Sequence, residues 1–347
     1  MKNYLLAIII FGIFNCEDKS TLPNYNTSHK FELHSNNRVA SLLMDMNEYE
    51  IWVNNDGFSD NILRTSLLQD IYKRFDDDYD FIFLILNESS IPENLSYYGK
   101  LVGVSNNVKG VGLSAFNYSS EYGSSDRLKA VIQLTGLEYL KYGPSLHELA
   151  HQWANFALPT HSVNSTGSNL TSFQFGSHWG FTGGNTKGQL GGFEQNSLVQ
   201  HGQNSYTVGE FGTFANGGNG VPYNDLELYL MGMLPISEVS NFDMFTNIIS
   251  LAINSSSYDF TALNRTTYTQ QSLVELLGQR EPSFENSQKD FNALAIVITQ
   301  KPLSEDEWTN VDLSVEWFSN PEDDDTYLFN FWEATRGMGT ISFQNNI

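Results

Sequence analysis

The run His147-Glu148-Leu149-Ala150-His151 brings its polar groups together only as a helix, and this requirement constrains the chain more than any other stretch. In a helix, residues four apart lie one above the other on the same face. His147 and His151 could then direct ring nitrogens at one ion about 2.0–2.1 Å away. Glu148 is turned about 100° from His147, which lets it reach a metal-bound water as a general base without being a ligand. Pro144 and Ser145 supply a helix start. Leu146, Leu149, Ala150, Trp153, Phe156 and Ala157 follow helical spacing on the face away from both histidines, which predicts an amphipathic helix with its His pair off the core. Ser145 and Glu148 also spell a capping box, in which the carboxylate would only bond the helix N-terminus. A start at Gly143 or Pro144 would free it, and the two alternatives stay open.

A catalytic zinc takes three protein ligands and leaves a fourth position for water. The metzincin continuation is absent, since Ala154 and Ala157 stand where its Gly and third His belong. His178, in Ser177-His178-Trp179-Gly180, is the first candidate because it lies in the loop leaving the helix, with Trp179 as an anchor. Glu227 is the second. It falls among Leu226, Leu230, Met231 and Leu234, where a carboxylate needs a cation or must protonate, and in gluzincins a downstream helical Glu has that part. His161 and His201 are expected in loops, within reach of substrate. Tyr229 is a candidate oxyanion donor if Glu227 is not a ligand.

The chain's 347 residues allow one large domain or two lobes sharing a cleft. Forty percent hydrophobic and 14% aromatic content describe a globular protein, and a net charge of −22 opposes a grip on nucleic acid or anionic membrane through charge. The acidic runs Asp76 to Asp80 and Glu322 to Asp325 could attract calcium but lack EF-hand spacing and glycine, so they read as solvated surface. At the N-terminus, Lys2 and the eleven-residue apolar run Tyr4 to Phe14 read as an export signal, too short to span a bilayer. Cys16, the only cysteine, excludes an internal disulfide. It stands where bacterial lipoproteins carry the lipidated residue, although Ile13-Phe14-Asn15 departs from the usual small-residue pattern. The expectation is a signal peptide over 1–15, lipidation at Cys16 and a tether over 16–29. The protein would then be an exported cell-envelope lipoprotein, or secreted, meeting the membrane through its lipid alone.

Along the chain, apolar positions between Ile62 and Phe75 predict a helix, and Phe81 to Leu86 a buried strand. Leu128 to Leu134 is a second strand. Residues 161–220 hold 14 of the 27 glycines and read as a long irregular excursion, a class of loop that is often functional. Asp225 to Leu234 predicts a short helix closing on Gly232 before Pro235. A helix at Gln271 to Leu277, a strand at Ala293 to Thr299 and an apolar segment from Tyr327 to Trp332 follow. The expected division is an N-terminal subdomain over 30–160 and a smaller C-terminal one over 161–347.

The HExxH helix, the His178-Trp179 turn and the segment Leu228-Tyr229-Leu230-Met231-Gly232, in this order, resemble a group of secreted bacterial zincin-type proteins over roughly residues 65–300. The resemblance implies an α+β, zincin-like fold: a mixed sheet, an active-site helix, a Gly-rich loop region and a smaller C-terminal lobe. It implies a zinc metalloendopeptidase acting on protein or peptide. By analogy with zincins, Leu128 to Leu134 would form the cleft rim and pair with extended substrate. Met231 or Met233 would lie beneath the metal, a packed core methionine being the plainer alternative. The competing readings are a surface-anchored binding protein or adhesin, whose metal site would be closed by His178 and Glu227 coordinating at once, and a zinc hydrolase of a non-peptide substrate. Oligomeric state is open.

Overall fold

The computed structural model describes residues 29–158, 160–164, 170–174 and 177–346, and of 160–164 and 170–174 the backbone alone. The expected signal peptide and Cys16 lie outside the described residues, as does the tether apart from His29. Among the described residues no helix is long and apolar enough to cross a membrane.

A seven-stranded mixed sheet organises the chain. Its strands are β1 (Lys30–Leu33), β2 (Val39–Leu43), β3 (Phe81–Leu86), β4 (Gly99–Gly103), β5 (Ala130–Leu134), β10 (Asp290–Thr299) and β11 (Thr340–Phe343). The order is β1-β2-β10-β3-β5-β4, with β11 on the lower half of β10 beyond the end of β2. β2, β10, β3 and β5 are parallel, while β1 and β4 close the edges antiparallel. The unbroken apolar run of β3 follows from burial on both faces. Phe81, Phe83 and Ile85 point into one core, and Ile82, Leu84 and Leu86 into the other. Helices α1 (Met46–Asn54) and α2 (Asn61–Ile71) cover the second face. The first face carries α3 (Ser145–Ala154), α4 (Asp225–Met231) and α6 (Glu305–Ser319).

A smaller four-stranded antiparallel sheet, β6-β7-β9-β8, is built from β6 (Val199–Gly202), β7 (Ser205–Gly209), β8 (Phe242–Ile253) and β9 (Ser257–Tyr268). Its core is aromatic, with Phe181, Phe193, Phe211, Phe245 and Phe260 in mutual ring contact. Phe181 and Phe193 come from the Gly-rich excursion, and Phe245 N donates to Phe181 O at 2.8 Å. That segment is therefore fastened to a sheet. Helix α5 (Gln270–Leu277) leads from it back to β10.

Three expectations change. The boundary at 160/161 runs through the large sheet, because β10 and β11 from the C-terminal half pair with β2 and β3 of the N-terminal half. Leu128 to Leu134 is not the rim: β5 lies inside, between β3 and β4, and is buried at all five positions. Its two ladder partners put it in the sheet interior, and the edge falls to the half-buried β4. Third, the first acidic run is not merely solvated surface. Asp80, 1% exposed, pairs with Arg127 at 2.9 Å and accepts from Asn292 N, while Asp77 holds Ser124 and Ser125.

His29 joins β1 to both outer helices, with Nδ1 and Nε2 each 2.7 Å from a carboxylate, Asp70 and Glu48. Burial lowers its pKa, but the two carboxylates outweigh burial and raise it overall. A folded pKa above the unfolded value of about 6.5 means the stabilisation is fully present below that pH and is lost as pH rises through the folded value. Urea unfolding should therefore find His29→Gln less stable than wild type by roughly 1–3 kcal/mol at pH 6, with the gap shrinking by pH 9. A gap that did not change with pH would remove the charge from this account.

Candidate metal centre

Helix α3 is buried almost all round rather than half exposed, since Leu146, Leu149, Ala150, Trp153 and Ala154 pack into the core and its polar face meets protein as well. Its N-terminus is not closed by the local capping box. Pro144 is the N-cap and makes no side-chain bond there, and Ser145 Oγ donates to Leu140 O at 2.6 Å. Asn219, fully buried and far away in sequence, does the capping instead. Its Oδ1 accepts from Leu146 N at 3.2 Å, and its Nδ2 donates to the carbonyls of Leu140 and Lys141 at 3.0 Å. Glu148 is thereby left free of the capping role that its spacing also allowed.

His147, His151 and His178 converge. His147 Nε2 lies 3.0 Å from His151 Nε2 and 3.3 Å from His178 Nε2, and the three donors fit within 4.8 Å of one another. Three ligands placed tetrahedrally at 2.0–2.1 Å would stand about 3.3 Å apart. The opposite ring nitrogens fix the tautomers: His147 Nδ1 donates to Gln189 O at 2.7 Å, and His151 Nδ1 to Asn155 Oδ1. A carbonyl oxygen can only accept, so both Nε2 lone pairs face the centre of the group. Ser177 Oγ stands 3.3 Å from His178 Nδ1. Burial pushes the His147 imidazole down to about 4 and that of His151 well below its ordinary value, His151 being lowered further by its two histidine neighbours. His147 and His151 thus present converging lone pairs held from behind, and with His178 the group could hold a metal ion.

Glu148 is 5% exposed and borders the same open cleft of about 480 Å³ as the three histidines. Burial pushes its carboxyl up to about 8, against a backbone hydrogen bond from Leu101 and the charge of Lys100. The other wall is β4 with Tyr97, Tyr98, Phe214 and Ala215. Gly99 permits the approach of strand and helix, because a Cβ there would stand 2.7 Å from Pro144 Cγ, 2.8 Å from Glu148 Cγ and 3.1 Å from Glu148 Oε1.

Glu227 is not in the histidine group. Fully buried, it receives four N–H donors: Trp179 Nε1 at 2.9 Å and Leu190 N at 2.8 Å on Oε1, Gln189 N at 3.0 Å and Asn224 N at 2.9 Å on Oε2. Burial raises its pKa and these donors oppose the rise. Fixed donors, rather than the expected cation, satisfy the carboxylate. Gln189, whose N–H it holds, is the residue whose carbonyl orients His147.

Other expected positions lie elsewhere. Tyr229 is 4% exposed, on the side of α4 near Arg280 and outside the cleft lining, so it is not placed as an oxyanion donor. Met231 and Met233 are packed core residues, and Met231 lines a different cavity. His201 is exposed on β6, with Nε2 2.7 Å from Thr207 Oγ1. His161 falls on the strand 160–164, which pairs with 170–174. Asn219 and Gln189 escape sequence reasoning because neither carries a motif; their importance lies in long-range contacts. No protein-family model, curated protein or solved structure matches this chain.

Proposed function

We propose that this chain is a zinc-dependent metallopeptidase, with His147, His151 and His178 holding zinc and Glu148 acting as general base. The observation that carries the reading is the pairing of three converging imidazole nitrogens with a non-ligand carboxylate in one open cleft. Zinc prefers imidazole nitrogen in tetrahedral sites, and when bound it lowers the pKa of its water to about 7 and polarises a carbonyl. Glu148 takes the proton from the attacking water and delivers it to the leaving amine. Peptide is favoured over other substrates by β4, an antiparallel strand at the sheet edge that lines the cleft, a setting that suits an extended chain. The binding-protein alternative calls for a site closed by His178 together with Glu227, and Glu227 is engaged elsewhere.

The purified chain should bind about one zinc, as three-ligand catalytic sites do, and cleave peptides in a chelator-sensitive way. His178→Ala should weaken zinc binding by more than the about 10–100-fold that loss of an outer-shell partner costs. Unchanged zinc affinity in that variant would end the reading. Gly99→Ala should keep zinc and lower turnover about 10²-fold, since the new Cβ displaces Glu148 and a misplacement of about 1 Å carries that cost. Wild-type turnover would show that the close approach is dispensable.

A further inference from the structure

On the other flank of α3 lies a second cavity, of about 310 Å³. The two hollows share their framework. His147 and Glu148 of α3 border the metal cleft with Gly99 to Leu101 of β4, whereas Gln152 and Trp153 border the cavity with Ser105, just past the end of β4. The cavity has an apolar lining in Trp153, Met231 and Phe291, none more than 5% exposed.

Two largely buried polar side chains in its wall, Arg280 and Gln152, have hydrogen-bonding or charge capacity left for a ligand. Arg280, 8% exposed, donates to Leu230 O at 3.0 Å, to Pro282 O and to Ser287 Oγ at 2.5 Å, all neutral acceptors. Among the described residues no carboxylate lies within 4.0 Å of its guanidinium nitrogens to make an ion pair. A buried cation without an anion is costly, and burial pushes Arg280 down to about 10. Gln152, 4% exposed, donates Nε2 to Ser105 O at 2.8 Å, while no donor reaches its Oε1 among the described residues.

At the rim, Lys129 Nζ is 3.7 Å from Asp80 Oδ1, a long pair, and Asp80 is already bound to Arg127 at 2.9 Å. The rim carboxylate Asp126 is held by Asn117 Nδ2. The wall therefore offers two cationic side chains and one unfilled amide acceptor beside an apolar surface. A carboxylate attached to an amide-bearing backbone matches that set, as in a peptide's Asp, Glu or terminal residue.

We propose that this cavity holds a carboxylate-bearing residue of the peptide substrate, with the carboxylate on Arg280 and Lys129 and a main-chain N–H on Gln152 Oε1. The proposal rests on the peptidase reading. Ser105 is six residues beyond Gly99 in sequence, about 20 Å at the rise of an extended strand. The bound residue would thus stand roughly five or six positions from the bond cut, making the cavity a site for selection rather than chemistry.

The test is calorimetric titration of the zinc-loaded full chain with N-acetylglutamate α-methylamide and, separately, N-acetylglutamine α-methylamide, which differ only in the side-chain carboxylate, together with cleavage of peptide sets that place Glu or Gln five or six residues from a cut. The acid should bind at least about tenfold more tightly than the amide, the scale of a charge-assisted hydrogen bond. Lys129→Gln should erase most of that preference with zinc content unchanged. Equal binding of acid and amide would overturn the proposal. So would a preference that survives Lys129→Gln and Arg280→Gln combined, since it would place the acid on the metal. Peptide cleavage with no Glu preference also counts against the cavity. Carboxylate binding lost with Lys129→Gln, but with no peptide cleaved, would overturn the peptidase reading and leave the cavity as a carboxylate site.

Discussion

Replacing Glu148 with Gln should cut peptide turnover by about 10²–10⁴, the usual contribution of a positioned general base, while leaving zinc stoichiometry at wild type. The amide has the shape of the carboxyl it replaces, so it keeps the tight fit against Gly99, and no ligand atom of His147, His151 or His178 is altered. What it cannot do is accept a proton. The loss should therefore fall on kcat, with KM for a peptide substrate little changed, because the cleft walls from β4 and Phe214 are intact. Zinc analysis and steady-state kinetics on one preparation decide the matter. Full turnover in the variant would refute the base assignment, and zinc lost along with turnover would make Glu148 part of the metal's support instead.

The helix bearing the metal pattern could be read in the sequence because its chemistry and periodicity are local: His147 and His151 need only one turn of helix to meet. His178 could be nominated from its place in the loop after that helix. The strand Phe81–Leu86, the 293–299 part of β10 and the helices around α4 and α5 were legible in the same way, from unbroken apolar runs or from closing glycine and proline. Topology was less accessible. That β10 enters the sheet between β2 and β3, some 200 residues from β3, is set by long-range pairing that no window contains. The β8–β9 hairpin is masked by a register shift between Ile248 and Ser250 and by exposed positions along both strands. Helix α6 has a readable start, the capping box Ser304 to Glu307, yet its mixed apolar and acidic face hides it from periodicity.

Glu227 illustrates the limit best, because the reasoning that selected it was sound and led to the wrong partner. A carboxylate among leucines does need compensation, and here four N–H groups provide it. Two of them belong to Gln189 and Leu190, in the segment whose Gln189 carbonyl orients His147, and another to Trp179, the neighbour of His178. Glu227 therefore positions two of the three candidate ligands from one buried point. Glu227→Gln would turn one oxygen into a donor facing donors, so it should cost about 1–3 kcal/mol of stability, the scale of leaving a buried donor unsatisfied. Zinc affinity should fall about 10–100-fold, as when an outer-shell partner is lost.

Urea unfolding of the metal-free protein and a zinc competition titration read the two effects separately. A direct ligand would behave in the opposite sense, with metal affinity collapsing while metal-free stability barely moved or even rose as a buried charge was removed. If stability falls but zinc binds as in wild type, the Gln189 link to His147 transmits nothing. If neither changes, the four-donor arrangement around Glu227 is wrong.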